Sequence, residues 1–269
     1  MQTVRLDLLV HERGLVESRS KAQAVIMAGQ VRVDGQVVIK PATAVSPEAR
    51  LDLEMGPRFV SRGGDKLEAA LTAFPVRVEG RVCADVGSST GGFTDCLLQH
   101  GARRVYAIDV GKGILHWKLR TDPRVIVMEE TNARHLASLP EPVSLVTVDA
   151  SFISLKILLP VVKGWFVLPA GNEDYIIALI KPQFEAGRKE TARNKGVIRD
   201  GEVHRAVLTD VLGFARTLGL GVRGLVRSPV LGPKGNVEFL VWLAVGGEGL
   251  VDLSRPVEAV LSPGDEGAD

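Results

Sequence analysis

The segment Val82-Cys-Ala-Asp-Val-Gly-Ser-Ser-Thr-Gly-Gly-Phe-Thr94 decides the fold. It joins an apolar run over residues 82–86 to a glycine-rich turn, and the turn leads into a helical pattern over residues 92–100. In a Rossmann-like fold this is where the backbone approaches a nucleotide cofactor. The glycine spacing is G-x-x-x-G-G rather than the G-x-G-x-x-G of a dinucleotide site, which argues against a dinucleotide-dependent oxidoreductase.

The chain beyond this segment continues the alternation of apolar runs and helical patterns. The runs are continuous rather than alternating, and helical stretches such as residues 153–165 and 202–218 separate several of them. This pattern is typical of a parallel sheet covered on both faces. We therefore predict the α/β class, with a Rossmann-like, seven-stranded domain over residues 65–269. The predicted strands are Val82–Val86, Val105–Ile108, Val125–Met128, Val143–Val148, Ile176–Ile180, Val222–Val226 and Val237–Leu243.

The first 57 residues have a pattern of their own. An amphipathic helix is predicted over residues 5–12, and the capping-box sequence Ser20-Lys-Ala-Gln23 predicts the start of a second helix that ends before Gly29. Asp34-Gly35 lies between two apolar segments and indicates a hairpin with a type I′ turn. We expect a small α+β module over residues 1–57 and a linker over residues 58–64.

Composition excludes several classes of protein. Hydrophobic residues make up 45% of the chain and charged residues 24%, as in soluble globular proteins. No signal peptide is apparent at the N-terminus, and Lys156 and Lys163 interrupt the best membrane candidate, residues 154–171. Cys83, Cys96 and the five histidines lack metal-ligand spacing. We therefore expect a cytoplasmic protein with no metal and no membrane association; nothing in the sequence specifies an oligomeric state.

Charge is distributed unevenly along the chain. The tail over residues 247–269 holds six carboxylates and one arginine, so the remainder is net positive although the whole chain carries only +1. Two basic clusters permit RNA binding without showing it, since charge clusters are often solvated surface. They are Arg103, Arg104, Lys112, Lys118, Arg120 and Arg124, and Arg188, Lys189, Arg193, Lys195, Arg199 and Arg205.

The residues around the glycine turn indicate which cofactor the domain binds. Asp109 ends the second strand, where an acidic side chain can accept hydrogen bonds from both ribose hydroxyls. An adenosine compound without a pyrophosphate fits, and S-adenosylmethionine is such a compound. We expect Asp85 to meet its methionine end directly or through water. Phe93 could instead pack, and Asn132 could instead form a turn. The remaining candidate contacts are Gly87, Ser88, Ser89, Gly91 and Gly92.

Five ordered motifs connect the sequence with a known family. It resembles the TlyA (hemolysin A-like) ribosomal RNA 2′-O-methyltransferases, whose catalytic domain is of the FtsJ type, from Arg5-Leu-Asp-Leu-Leu9 to Gly235-Asn-Val-Glu-Phe-Leu240. The N-terminal module resembles one shared by a ribosomal small-subunit protein, pseudouridine synthases and tyrosyl-tRNA synthetases. The motifs are Val60-Ser-Arg-Gly-Gly-Asp-Lys-Leu67, Asp85-Val-Gly-Ser-Ser-Thr-Gly-Gly-Phe-Thr94, Val148-Asp-Ala-Ser-Phe-Ile-Ser154, Ile180-Lys-Pro-Gln-Phe-Glu185 and Gly232-Pro-Lys-Gly-Asn-Val-Glu-Phe239.

The resemblance implies a catalytic tetrad, Lys66, Asp149, Lys181 and Glu238. Asp149 and Lys181 end successive apolar runs, so both should emerge at the carboxyl edge of the sheet. We predict that Lys181 steers or removes the proton of a ribose 2′-hydroxyl, and that Lys66 and Glu238 hold the ribose. Asp149 could instead cap a helix, and Glu238, within the final predicted strand, could be an ordinary edge carboxylate. The charged residue Asp65 is unexpected beside Lys66, where we expect a neutral residue.

The resemblance also implies the partner, ribosomal RNA or ribosomal subunits, with a cytidine ribose as the methyl acceptor. A hemolysin- or cytolysin-type binding protein without methyltransferase activity is the alternative, and the sequence offers it neither a signal peptide nor a membrane span. An RNA-binding protein with a decayed catalytic domain is disfavoured by the intact tetrad. Candidate phosphate contacts are Arg5, Arg19, Lys21 and Arg32 in the N-terminal module, and Lys189 and Arg193 on a loop after Lys181.

Overall fold

The computed structural model describes residues 3–54, 56–167, 174–187, 190 and 196–262. The chain divides into two compact units, Met1–Arg58 and Phe59–Asp269. None of the described helices is both long enough and apolar enough to cross a membrane.

The first unit is the predicted helix-helix-hairpin module. Asp34 and Gly35 both have positive φ, 49° and 84°, as the predicted type I′ hairpin turn requires. Leu6, Val10 and Ile26 are fully buried in its core. Its elements are β1 (Val4–Arg5), α1 (Leu6–Glu12), α2 (Arg19–Met27), β2 (Val31–Val33), β3 (Gln36–Val37), β4 (Ala44–Val45) and β5 (Leu51–Leu53), with β3-β2-β5 as one sheet and β1-β4 as another.

The serine that caps α2 is not the predicted one. Ser18, not Ser20, is the N-cap: it has extended backbone angles, and its side chain accepts a hydrogen bond from Lys21 N at 3.2 Å. An N-cap residue directly precedes the helix, and its side-chain oxygen accepts from an amide two or three residues on, whereas Ser20 already lies within α2. The predicted capping box at residues 20–23 is therefore wrong, and α2 begins at Arg19.

The second unit contains a seven-stranded sheet, which confirms the predicted α/β, Rossmann-like fold. The strand order is β11-β12-β10-β9-β6-β7-β8. Every predicted apolar run is a strand, with ends shifted by at most a few residues. The strands are β6 (Val82–Val86), β7 (Arg104–Ile108), β8 (Val125–Met128), β9 (Leu145–Val148), β10 (Asp174–Ile180), β11 (Leu220–Arg227) and β12 (Phe239–Val245).

Helices cover both faces of this sheet. Cys83 and Ala84, successive residues of β6, point to opposite faces and both are fully buried, each in a different hydrophobic cluster. The described helices are α3 (Gly63–Ala73), α4 (Gly92–Gln99), α5 (Trp117–Arg120), α6 (Leu155–Lys163), α7 (Pro182–Glu185), α8 (Gly201–Thr217) and α9 (Ser254–Leu261), with a 3₁₀ turn at Ala133–His135.

The sheet is mixed rather than fully parallel, which corrects one prediction. β12 runs antiparallel to both β10 and β11. Only residues 228–238 separate β11 from β12, and this connection contains no helix, whereas a parallel neighbour needs a longer crossover, usually through a helix. The start of β12 therefore lies at the edge where β9 and β10 end, and Phe239 pairs with Ile180.

The segment predicted as a linker, residues 58–64, belongs mostly to the second unit. Phe59 is buried in the same hydrophobic cluster as Leu67 and Phe93, and α3 already begins at Gly63. Gly64 packs directly on Phe59, since a Cβ at Gly64 would lie 2.1 Å from Phe59 Cγ. Gly64 thus permits close packing of α3 on Phe59.

Candidate active site

Two adjoining cavities open at the carboxyl edge of the sheet. The first has a volume of about 270 Å³ and the second about 430 Å³. They share four lining residues: Gly87, Ser89, Asp149 and Ser151. Ligands of open α/β sheets bind outside the carboxyl ends of the strands, so both cavities lie where the fold predicts a site.

The four tetrad residues all line the first cavity. Lys66 Nζ donates a hydrogen bond to Glu238 Oε2 at 2.5 Å. Lys181 Nζ lies 2.6 Å from Asp149 Oδ1, and it donates to Ser151 Oγ at 2.9 Å. Lys66 and Lys181 are each 7% exposed and Glu238 is 1% exposed. The site thus consists of two largely buried ion pairs. Each charge has a partner, as charges removed from water require.

The backbone explains how these residues meet. Lys66 is on α3, whereas Asp149 and Lys181 directly follow β9 and β10. Glu238 directly precedes β12 rather than lying within it, which corrects the predicted position. The reversal of β12 brings Glu238 to the same edge. Asp65 is exposed, so its charge faces solvent rather than the cavity.

The alternative role of Asp149 as a helix cap is wrong. The N-cap of α6 is Ser154, which accepts a hydrogen bond from Lys156 N at 3.1 Å. Ser154 Oγ also donates to Glu185 Oε2 at 2.6 Å, and burial raises the pKa of Glu185. These contacts join the start of α6 to α7 and fix the two segments that follow Asp149 and Lys181.

Sequence reasoning missed two polar side chains of this site. Ser151 accepts the hydrogen bond from Lys181, and Gln183 Nε2 donates to Glu238 Oε1 at 3.3 Å. Each lies two residues after a tetrad member, inside a motif already singled out. Their position two residues after a tetrad residue was the signal in the sequence that could have identified them.

The glycine turn forms the wall between the two cavities. Gly87 has φ of 82°, and a Cβ there would lie 2.7 Å from the carbonyl oxygen of Asp149. A Cβ at Gly92 would lie 2.7 Å from Gly64 N. Ser88, Gly92 and Phe93 line the first cavity rather than the second, and Phe93 is also packed in a hydrophobic cluster, which is its expected packing role.

Gly91 lines neither cavity, contrary to the prediction. It has φ of 99°, and Leu119 fills the space beside it: a Cβ would lie 2.1 Å from Leu119 Cδ1. The glycine is required by its left-handed backbone and by packing.

Asp85 also lies outside the walls of both cavities, which corrects its predicted contact with a cofactor. Its carboxylate is fully buried and accepts hydrogen bonds from Thr94 Oγ1 at 2.7 Å and Thr147 Oγ1 at 3.0 Å. Burial raises the pKa of Asp85 to about 7. Asp85 is therefore a positioning residue that ties α4 to β6 and β9.

The second cavity has the features expected for adenosine. Asp109 lines it, and its carboxylate is fixed by hydrogen bonds from Ser89 N at 2.9 Å and Gly111 N at 2.7 Å. Asn132 lines the cavity and also accepts a hydrogen bond from Arg134 N, so it serves the predicted turn as well. Apolar side chains form much of the remaining wall, namely Val86, Ile108, Val110, Ile114, Ile153 and Leu158. Because Gly87 leaves room at the junction, the donor set and space fit S-adenosylmethionine.

Phe152 on the wall of the second cavity was also missed. It is 91% exposed and has φ of 64°, a conformation that is strained for a bulky side chain. Its ring lies 5.0 Å from that of Phe184. Strained, exposed residues cluster at functional sites.

In the first unit, three of the four candidate phosphate contacts are ion-paired. Arg5 and Arg19 both bond to the buried carboxylate of Asp7, and the hydrogen bond from Arg5 holds the pKa of Asp7 well below its usual range. Arg32 Nε lies 2.5 Å from Glu54 Oε1. Lys21 is exposed. Lys189 and Arg193 lie outside the described residues.

The first basic cluster of the sequence is matched by carboxylates. Each of its six cations has an acidic partner within ion-pair distance. The pairs are Arg103 and Arg104 with Glu141, Lys112 with Glu130, Lys118 with Asp95, Arg120 with Glu129 and Arg124 with Asp122. In the second cluster, Arg205 pairs with Glu202 and Glu258. Paired cations attract phosphates less, so these clusters support RNA binding weakly. Arg62, by contrast, is exposed at the first cavity.

Comparison with known proteins agrees with this architecture. The family model described as FtsJ-like methyltransferase matches residues 59–245, and that of the S4 domain matches residues 4–51. The "16S/23S rRNA (cytidine-2′-O)-methyltransferase TlyA" of Mycobacterium tuberculosis is 44% identical over 260 residues, covering 92% of this chain and 94% of that protein. "Hemolysin A" of Brachyspira hyodysenteriae is 40% identical over 240 residues, covering 88% and 98%.

Solved structures show the same relationship. A structure from Streptococcus thermophilus, provisionally named a hemolysin, is 40% identical to this chain and has a TM-score of 0.72. The match covers 97% of this chain and 95% of that one. A provisionally named S-adenosylmethionine-dependent methyltransferase from Listeria monocytogenes, 13% identical with a TM-score of 0.52, shares the fold over 68% of this chain and 98% of its own. The chain belongs to the FtsJ-like methyltransferase family, in the group with an N-terminal S4 domain that includes TlyA and hemolysin A.

Proposed function

We propose that this protein transfers a methyl group from S-adenosylmethionine to the 2′-hydroxyl of a cytidine ribose in ribosomal RNA. One observation carries the proposal: the four tetrad residues line a cavity that shares Gly87, Ser89, Asp149 and Ser151 with the cavity bounded by Asp109 and Asn132. A cofactor in the second cavity and a ribose in the first would then meet at the shared wall.

The second cavity would hold the cofactor through few polar contacts. Asp109 would accept hydrogen bonds from the ribose hydroxyls, and Asn132 would meet the adenine edge, with apolar side chains around the base. When bound there, S-adenosylmethionine supplies a methyl group on a positively charged sulfur. The close approach permitted by Gly87 leaves room for the methionine end beside Asp149.

Lys181 is the residue that we assign to the hydroxyl proton. Its neutral amine would accept that proton as the oxygen–methyl bond forms and the sulfur–methyl bond breaks, and Asp149 would pair with the resulting ammonium. Lys181 Nζ lies 2.6 Å from Asp149 Oδ1, close enough for that pairing. Ser151, at 2.9 Å, fixes the direction of the amine.

Lys66 and Glu238 would position the ribose. Their buried pair presents both a donor and an acceptor to the first cavity, and Gln183 restrains the Glu238 carboxylate. Holding two reactants in line is itself worth several orders of magnitude in rate. We therefore assign positioning, rather than proton transfer, to this pair.

The S4 domain and the names of the relatives support ribosomal RNA as the acceptor. The TlyA proteins of Mycobacterium tuberculosis and Campylobacter jejuni are named as acting on cytidines of 16S/23S and 23S rRNA. Work on ribosomal subunits would place the protein in the cytoplasm. A lytic binding protein is not favoured, since lysis gives no reason for two buried ion pairs in one cavity.

The test is to incubate the purified protein with labelled S-adenosylmethionine and separated ribosomal subunits, and then to map any 2′-O-methyl group. We expect label on a cytidine of one or both subunits. Absence of label from every RNA would overturn the proposal, and label on a base rather than a ribose would overturn the assigned chemistry.

A further inference from the structure

A second group of reactive side chains lies between α3 and α4, and none of them lines the two cavities of the active site. Glu68 belongs to α3, Cys96 belongs to α4, and His100 directly follows α4. One ligand atom from each residue lies within 4.8 Å of the other two. We propose that these three residues bind a divalent transition-metal ion of the zinc class.

The sequence spacing agrees with a metal site. Cys96 and His100 are four residues apart, so the helix presents both on one face. Glu68 comes from 28 residues earlier, on the helix packed against that face. The expectation of no metal rested on the absence of Cys-x-x-Cys and His-x-x-x-His pairs. A mixed Cys-x-x-x-His pair with a distant carboxylate escapes such a search.

The donor set suits zinc. Thiolate sulfur, imidazole nitrogen and carboxylate oxygen are its usual protein ligands, at about 2.0–2.3 Å in a tetrahedral arrangement. That arrangement separates ligand atoms from one another by about 3.3–3.6 Å. Cys96 Sγ lies 3.7 Å from Glu68 Oε2, and His100 Nε2 lies 2.6 Å from the same oxygen. Binding would need the latter pair to open by roughly 0.7 Å, a side-chain adjustment.

The three-residue group is buried on one side and accessible to solvent on the other. Cys96 is fully buried, whereas the side chains of Glu68 and His100 are 21% and 34% exposed. An ion can enter from the exposed side, where water can supply a fourth ligand. The thiol must lose its proton to become a ligand, so binding releases one proton to solvent.

The position of the site gives it a structural role. Glu68 follows Lys66 by two residues on α3, and α4 begins at Gly92 of the glycine turn. A bound ion would connect the helix that carries Lys66 with the helix that follows the turn. It would stabilise the folded chain by mass action, since the ligand set is not assembled in the unfolded state.

Cobalt substitution tests the proposal on the full chain. Metal-free protein is titrated with Co²⁺, and the thiolate-to-cobalt charge-transfer absorption is recorded; Zn²⁺ is then added as a competitor. We expect about one equivalent to bind, the absorption to appear, and Zn²⁺ to remove it. Cys83→Ser is the matched control, because Cys83 is equally buried but outside the group, and it should behave as wild type.

Two variants decide the ligand set. Cys96→Ser should abolish the charge-transfer absorption, and His100→Gln should weaken Co²⁺ binding at least tenfold. His100 is partly exposed, so the second variant tests the site even where the first fails to fold. A wild-type protein without the absorption at one equivalent, or unchanged binding by His100→Gln, would overturn the site. Neither result bears on methyl transfer to RNA.

Discussion

Glu238 and Lys66 form a buried ion pair across 172 residues of sequence, with 2.5 Å between Oε2 and Nζ. Lys66 comes from the first helix of the second unit and Glu238 from the residue before its last sheet strand. Their contact therefore connects the two ends of the domain at the active site. Neither charge has an easy route to water, so each depends on the other.

Glu238→Gln should leave the shape of the site intact but remove this pairing. Losing one partner of a buried ion pair typically costs about 3–5 kcal/mol, so we expect the free energy of unfolding in urea to fall by about that amount. Methyl transfer should fall at least 100-fold, with cofactor affinity within about threefold, because the second cavity is untouched. The control is Asp65→Asn, an exposed carboxylate beside Lys66, for which wild-type values are expected.

Lys181→Ala and Lys181→Arg separate charge from proton transfer. Alanine should abolish methyl transfer while S-adenosylmethionine still binds in calorimetric titration. Arginine keeps the positive charge beside Asp149 but remains protonated in proteins, so it should be as inactive as alanine. Activity of the arginine variant above about a tenth of wild type would assign Lys181 an electrostatic role alone.

Gly87→Ala should damage the cofactor site through a clash rather than through backbone strain. A Cβ at Gly87 would lie 2.7 Å from the Asp149 carbonyl oxygen, whereas at Gly113 (φ of 68°) no atom lies within 4 Å. Both substitutions place alanine in the left-handed region, at a cost of about 1–2 kcal/mol. Only Gly87→Ala should weaken cofactor binding, by tenfold or more in calorimetric titration. Equal losses in the two variants would show that strain, not space, limits this turn.

Asp85 predicts a pH-dependent stability. Its pKa is about 7 in the folded chain and about 3.9 when unfolded, so the folded state holds the proton more tightly. Stability from this group is complete below pH 4 and is lost as pH rises toward 7, a total of about 4 kcal/mol. Asp85→Asn removes that dependence. The unfolding free energy of the variant minus that of wild type, measured in urea from pH 4 to 8, should rise with pH; a constant difference would contradict the burial effect.

Phe152 should show opposite effects on stability and activity. Its positive φ costs roughly 1 kcal/mol, which glycine would recover. Phe152→Gly should therefore unfold at higher urea concentration and yet methylate RNA more slowly, since an exposed ring beside the cavities can stack on a base. Phe152→Ala keeps the strain and should lose activity without gaining stability. Full activity in both variants would remove the ring from RNA recognition.

Strand positions were predictable because a continuous apolar run indicates where a buried strand lies. Val82–Val86 and Val125–Met128 match to the residue. Strand direction cannot be read from an apolar run itself, which reads the same either way; the signal for the antiparallel β12 was the short interval between the predicted strands Val222–Val226 and Val237–Leu243. The surroundings of single residues were equally hidden: Asp85 near the end of β6 bonds to Thr94 and Thr147, and Gly91 in the turn packs against Leu119, so neither lines a cavity.

The basic clusters were weak evidence for RNA binding for a related reason. Some partners are local, as Asp122 is to Arg124, but others come from distant segments, as with Glu141, which pairs with Arg103 and Arg104. A cluster of cations in the sequence does not reveal these distant carboxylates. Tetrad positions were predictable only because whole motifs, not single residues, identified them.

The reversed β12 has a consequence for synthesis of the protein. It lies between β10 and β11, both of which leave the ribosome before it. The sheet can therefore close only when the last strand inserts between two existing neighbours, and Glu238 arrives with it. A nascent chain that ends before residue 238 carries three of the four tetrad residues and leaves Lys66 without its partner. The tetrad is therefore complete only once synthesis has passed residue 238.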